Sequence, residues 1–217
     1  MRLQTLTTTF ALAGVGVALP TRTDGLTPTR TWDKRSVAAT IVAIMPSSAS
    51  CAGRGDECTT AEDAVEYLTG SMTEYSVTTA IEQAGLLSLI AYESVEMQYK
   101  KNLDQSAQTG RGTVNMQSGD FNVEFAAALG LGTYTVDNVL DLTSTSDKFT
   151  FYSAAWYYTT QSSCSATRSL AQSGNVDADT WFDSYLTTCD GMGSSWNTSE
   201  PERWTYWTRA KEVFGIE

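Results

Sequence analysis

The sequence predicts a mainly α-helical domain, a bundle of helices around a cleft with at most a small hairpin. Three observations predict it. Apolar residues recur at the i, i+3, i+4 spacing of a buried helix face in several segments. Helix-start signals stand just ahead of those segments. Strictly alternating runs, the mark of half-buried strands, are scarce.

The elements follow in chain order. Met1-Arg2, an apolar stretch from Phe10 to Val17, and the small residues Gly16-Val17-Ala18 read as a signal peptide over residues 1–18. Residues 19–35 are rich in Thr and Pro and end in the dibasic pair Lys34-Arg35, so they read as a propeptide with processing after Arg35. The remaining chain, 36–217, has 182 residues, the size of one domain. No other apolar stretch approaches a membrane span. Thr59-Thr60-Ala61-Glu62 has capping-box spacing and starts a helix that Gly70 closes. Thr79-Ala80-Ile81-Glu82 has the same spacing and opens a long helix from near Val77 to near Tyr99, with Gly85 as a weak point. Residues 102–119, rich in Gly, Ser, Thr, Asn and Gln, read as loop or short hairpin. Phe121 to Leu129 reads as a helix stopped by Gly130, and the aromatic run Phe149 to Tyr158 as a second core helix. Asp177 to Thr188 gives another helix. Ser199-Glu200-Pro201-Glu202 is a capping box that starts the last one, which bears Trp204, Trp207 and Phe214.

Composition removes several chemistries. The chain has no histidine, which excludes a Ser-His-Asp triad, a Cys-His pair and any His-ligated metal. Acid–base work falls to carboxylates, Tyr or Lys. The 25 acidic and 14 basic residues give a net charge of −11, which becomes −14 without residues 1–35. Such a surface disfavours nucleic acid and anionic membranes. It would attract a polycation such as chitosan, although acidic charge also serves plain solubility. Cys51, Cys58, Cys164 and Cys189 make an even count, which argues for two disulfides and an oxidising, extracellular setting. Of the three possible pairings, Cys51–Cys58 with Cys164–Cys189 closes two local loops and is favoured. Asn197-Thr198-Ser199 is an N-glycosylation sequon, expected in an exposed loop.

Glu93 stands out. Between Gly85 and Met97, residues Leu86, Leu89, Ile90 and Met97 keep the spacing of one buried face, and Glu93 falls on it. A carboxyl there loses water and should resist ionising, as a proton donor to a glycosidic oxygen must. The alternative is a carboxylate at the edge of the face with its tip in solvent. Seventeen residues on comes Gly110-Arg111-Gly112-Thr113-Val114-Asn115-Met116-Gln117. Asn115, Gln117 and Asn122 offer neutral donors and acceptors for hydroxyl and acetamido groups, and Ser118 offers a hydroxyl for a water. A polar surface hairpin whose amides satisfy its own turns would look the same.

These residues resemble the lysozyme-like superfamily. Tyr92-Glu93-Ser94 is similar to the helix-borne Glu motif of transglycosylases, goose-type lysozymes and family 19 chitinases, with Tyr where the chitinases commonly have His. Gly110-Arg111-Gly112 with Asn115, Gln117, Gly119 and Asn122 resembles a chitinase segment, with one extra residue and Asn115 where Gln is usual. Met116-Gln117 resembles the Met-Gln of transglycosylases. Ser153 to Tyr157 and Glu202-Arg203 to Ala210 resemble the superfamily's C-terminal helices. The chain is also similar to a group of secreted fungal proteins with a Glu-Ser helix and a Gly-x-Gly-Thr-x-Asn-Met-Gln loop.

The resemblance implies a secreted glycoside hydrolase of lysozyme-like fold, cleaving β-1,4-linked amino-sugar polymers of the chitin or peptidoglycan type. It would need no cofactor and no metal. Glu93 would be the general acid, and Tyr92, Asn115, Gln117, Ser118 and Asn122 would contact sugar or water. Asp104 and Asp120 flank the loop and are the candidates for a second carboxylate. Glu96 lies one turn beyond Glu93 on the predicted helix. Chitosanases of this kind carry Asp before Gly-Arg-Gly, where this chain has Thr109. Two other readings remain: a sugar-binding or effector protein that keeps the fold without catalysis, and a chitosanase. Most of the tryptophans, at helical spacing, are assigned to packing.

Overall fold

The computed structural model describes residues 33–217. The expected signal peptide and residues 19–32 of the expected propeptide lie outside the described residues. Ten α-helices follow in order: α1 (Lys34–Ile44), α2 (Ala61–Glu74), α3 (Ala80–Glu93), α4 (Gly119–Ala128), α5 (Leu140–Thr143), α6 (Asp147–Thr160), α7 (Ser165–Ser173), α8 (Ala178–Ser184), α9 (Trp196–Ser199) and α10 (Glu202–Phe214). A π-helical turn, Tyr185–Cys189, continues α8. Among the described residues no sheet forms. Two isolated antiparallel bridges, Lys101 to Gly112 and Gly112 to Gln117, make the small hairpin.

α3 is the central helix, and every residue from Glu82 to Ala91 is buried. A helix buried all round has core neighbours on each side; α1, α6, α7 and α10 supply them. Its start is fixed by the predicted capping box: the Thr79 hydroxyl accepts from Glu82 N, and the Glu82 carboxylate accepts from Thr79 N. Gly85 is no weak point. A Cβ there would lie 2.5 Å from two ring atoms of Trp181, so the missing side chain admits the indole. Trp181, Trp207, Phe182, Tyr185 and Tyr158 are all fully buried. The Phe182 and Trp207 rings stack with centroids 4.5 Å apart. These aromatics pack, as their helical spacing predicts.

Several boundaries differ from the sequence reading. α2 begins at the cap Thr60, whose hydroxyl accepts from Asp63 N, and runs through Gly70 instead of stopping there. Gly70 lies inside the helix, where a Cβ would stand 2.6 Å from the Tyr152 hydroxyl. α3 ends at Glu93, well short of Tyr99. Ser199 does not cap α10; it closes the single turn of α9, and Pro201 sits at the α10 N-cap with no side-chain bond. The dibasic Lys34-Arg35 forms the exposed first turn of α1, with the Asp33 carboxylate accepting from Arg35 N. Cys51–Cys58 and Cys164–Cys189 are the disulfides. Asn197 is exposed, on α9. No helix among the described residues is long and apolar enough to cross a membrane.

Candidate functional site

A cavity of about 340 Å³ opens where the C-terminus of α3 meets the hairpin loop, the start of α4 and the approach to α10. Glu93, Asp190 and Glu200 bring carboxylates to it, Arg111 and Arg203 bring cations, and Asn115, Gln117 and Ser118 bring neutral polar groups. Met116, Phe121, Tyr157, Gly191 and Met192 complete the wall. Phe121 and Tyr157 meet edge to face at 4.9 Å.

Glu93 is the last residue of α3, and its side chain is 12% exposed. Arg203, from the first turn of α10, donates from Nη2 to Glu93 Oε1 at 2.5 Å and from Nε to Glu200 Oε2 at 2.5 Å. The guanidinium lies 3.9 Å from the Tyr92 ring centroid, so Tyr92 forms its back wall and does not line the cavity. Burial pushes the Arg203 pKa down, and Glu93 and Glu200 more than offset this, so it stays charged. Its Nη1 is buried and has no hydrogen-bond partner among the described residues.

Asp190 follows directly on the π-helical turn, beside the Cys164–Cys189 disulfide. Its pKa is pushed from 3.8 up to about 6, first by burial and then by the charge of Glu93, against the pull of Arg203 and Arg111. The cavity thus holds a carboxyl that keeps its proton in mild acid and a second carboxylate whose charge helps it do so. Such a pair offers a proton and a base in one cleft.

The amides form a relay. The Asn115 carbonyl oxygen accepts from the Thr113 hydroxyl at 2.6 Å and the Ser153 hydroxyl at 3.0 Å. Asn115 Nδ2 donates to Gln117 Oε1 at 3.1 Å, Gln117 Nε2 to Asn122 Oδ1 at 2.8 Å, and Asn122 Nδ2 to the Gly110 carbonyl at 2.8 Å. Asn122 is fully buried behind this chain and does not line the cavity, whereas Asn115 and Gln117 do. Ser118 caps α4, its hydroxyl accepting from Phe121 N at 3.4 Å, and stays exposed at the rim.

The two expected second acids stand elsewhere. Asp104 is exposed, and its carboxylate accepts from the Ser106 hydroxyl at 2.6 Å; this bond, with those from Ala107 and Ser106 backbone, lowers its pKa. Asp120, in the first turn of α4, lines a separate cavity of about 290 Å³ with Val136, beyond Arg111 and Ser118. Glu96 is not on the helix. Ser94 to Gln98 form a tight turn in which Val95, Glu96 and Met97 have φ of +51°, +59° and +64°. Left-handed backbone costs a non-glycine residue about 1–2 kcal/mol. Thr113 at +64° and Met116 at +47° carry the same strain in the amide loop. Strained residues gather where surrounding structure over-determines them, often at working sites.

Arg111, Asp190, Glu200 and Arg203 are the charged lining residues that sequence reasoning left out of the site. Arg203 lay inside a noted C-terminal segment. Asp190 had one signal: it follows Cys189, and pairing that cysteine with Cys164 anchors it beside the end of α6.

No family model matches the chain. A bifunctional dioxygenase–epoxy alcohol synthase of Fusarium oxysporum (strain Fo5176) is 29% identical over 167 residues. The match takes in 70% of this chain and 12% of that protein, so the chain spans a small part of the relative's length. Among solved structures, a chitinase C mutant aligns with a TM-score of 0.60 at 14% identity, over 83% of this chain and 92% of that one. Chitinase C from Streptomyces griseus aligns with a TM-score of 0.60 at 15% identity, over 82% and 76%. A bacterial family 19 chitinase aligns with a TM-score of 0.57 at 15% identity, over 83% and 95%. The chain therefore has the helical lysozyme-like fold that family 19 chitinases have.

Proposed function

We propose that the chain is a secreted glycoside hydrolase that cleaves β-1,4-linked amino-sugar polymers of the chitin type, with Glu93 as general acid and Asp190 as the second carboxyl. One observation carries the reading: Glu93 and Asp190 line the same cavity, and Asp190 keeps its proton up to about pH 6. Asp190 is the carboxyl that holds a proton in mild acid, and it passes that proton to Glu93 as the sugar enters. Glu93, at the end of a rigid helix, delivers it to the leaving oxygen, and Asp190 replenishes it or takes a proton from water. Arg203 orients Glu93 and releases it as the sugar enters. Asn115, Gln117 and Ser118 meet hydroxyl and acetamido groups, and Phe121 and Tyr157 offer ring surface to the sugar. A neutral amide wall and an acidic chain favour uncharged chitin-type polymers over the anionic bacterial wall. The two disulfides fit an extracellular protein.

The test is hydrolysis of chito-oligosaccharides by the wild type and by Glu93→Gln. The expected loss is about 10²–10⁴-fold, the usual contribution of a positioned acid. Unchanged turnover would remove Glu93 from the role. A second reading, a sugar-binding protein without catalysis, is favoured by the Arg203 clamp on Glu93. Calorimetry separates them: binding without product over long incubation selects the second.

A further inference from the structure

The left-handed run after Glu93 is held from both sides. Glu96 N donates to the Ala91 carbonyl at 2.7 Å. The Ser94 hydroxyl donates to the Ile90 carbonyl at 2.6 Å and accepts from Met97 N at 2.8 Å. Thr59 N donates to the Met97 carbonyl at 3.1 Å. The Glu96 side chain, 11% exposed, turns away from the cavity. Its carboxylate accepts from the Tyr206 hydroxyl at 3.1 Å and from Ser47 N, and it pairs with Arg209 at 3.7 Å. Arg203, Tyr206 and Arg209 stand three residues apart along one face of α10. The first grips Glu93; the other two grip Glu96. No other pair of helices among the described residues is in such extensive contact as α3 and α10.

We propose that Glu96 is a positioning residue: by tying the left-handed turn to Tyr206, Arg209 and Ser47 it sets where Glu93 meets Arg203. The inference rests on the reading of Glu93 as proton donor. A turn freed of these partners relaxes toward right-handed backbone and re-aims the last turn of α3, taking Glu93 off its partner. Glu96 touches no substrate in this account.

The experiment measures kcat, KM and Tm on chito-oligosaccharides for the wild type, Glu96→Ala, Tyr206→Phe and the double variant Glu96→Ala with Val95→Gly. Val95 is 53% exposed, and glycine there relieves left-handed strain without touching the clamp. Glu96→Ala should lower kcat roughly tenfold or more, with KM within about twofold, as misplacement of a reacting group does. The double variant, in which glycine favours the left-handed turn again, should recover Tm and much of kcat. Recovery of Tm with kcat still at the Glu96→Ala level would mean that Glu96 does not act through the turn, which overturns the proposal, as would wild-type kcat in Glu96→Ala. If Glu96→Ala does not fold, Tyr206→Phe decides: kcat down about threefold at unchanged Tm supports the clamp, and unchanged kcat refutes it. If the wild type cleaves nothing, the hydrolase reading fails before any substitution. The same variants are then compared by calorimetric affinity for the oligosaccharide, where no difference refutes the clamp.

Discussion

Arg203 donates to Glu93 at 2.5 Å across 110 residues of sequence, and its side chain is 7% exposed. Removing it leaves Glu93 next to Asp190 and Glu200 with one cation fewer. Breaking a buried pair by deleting one partner typically costs about 3–5 kcal/mol. Arg203→Ala should therefore destabilise strongly, and Arg203→Lys should keep charge but lose the two-pronged grip on Glu93 and Glu200. Urea midpoints and oligosaccharide turnover for the two variants check this. Arg203→Lys with full turnover would show that charge alone suffices.

The raised pKa of Asp190 predicts a pH dependence of definite sign. The folded value of about 6 lies above the ordinary 3.8, so between these values the folded chain holds a proton that the unfolded chain has released. The stability from this group is full below about pH 3.8 and declines as pH rises through 6, by at most about 3 kcal/mol. Asp190→Asn lacks that decline. The difference in urea midpoint between wild type and variant should grow in the variant's favour from pH 4 to pH 7. Hydrolysis should fall above about pH 6 as the Asp190 proton leaves. A flat difference would place Asp190 in a better-solvated setting.

How much of this was legible in the sequence depends on distance along the chain. The Thr79–Glu82 box is local, and both its bonds form. Glu93 was legible as an acid among apolar residues because α3 is buried nearly to its end. The turn at Val95 to Met97 was not, because left-handed backbone there uses Val, Glu and Met, none of which signals it. Its cause is tertiary: Ser47, Thr59 and α10 hold it. Asp190 stands 97 residues from Glu93, and no periodicity links them. The amide loop was legible as chemistry. That its amides bond largely to one another depends on side-chain directions that a pattern does not carry.

That self-bonding gives a further prediction. Asn122 is fully buried and joins Gln117 to the Gly110 carbonyl. Asn122→Ala leaves an amide and a carbonyl without partners, at about 1–3 kcal/mol each in buried surroundings. Stability should fall, and affinity for oligosaccharide should fall with it as Gln117 and Asn115 lose their fixed orientation. Thermal unfolding and calorimetry are the measurements. Lost stability with unchanged affinity would mean that the relay serves the fold alone.

Gly85 offers a test of the core. Alanine is preferred to glycine in a helix by about 1 kcal/mol. The new methyl would meet Trp181 ring atoms at 2.5 Å, inside a helix buried all round. Overpacking of this kind costs about 1–3 kcal/mol, so the net effect of Gly85→Ala should be destabilising. A stabilised variant by urea titration would show that the indole has room to retreat.

The two disulfides should differ in what their loss does to activity. Cys164–Cys189 closes a separation of 25 residues, against 7 for Cys51–Cys58. On loop-closure entropy the longer one contributes about 3 kcal/mol, and the shorter one somewhat less. The longer one also fixes the residue before Asp190. The Tyr157 hydroxyl donates to the Cys189 carbonyl at 3.3 Å and the Ser163 hydroxyl does so at 3.1 Å, so three ties converge on that position. Replacing both cysteines of this pair by alanine should lower Tm and, in protein still folded at the assay temperature, lower kcat. Replacing Cys51 and Cys58 should lower Tm and reduce kcat less, because neither residue lines the cavity and Cys58 reaches it only through Thr59 and the turn at Met97. Equal loss of kcat in the two double variants would mean that Asp190 is held well enough by the π-helical turn itself.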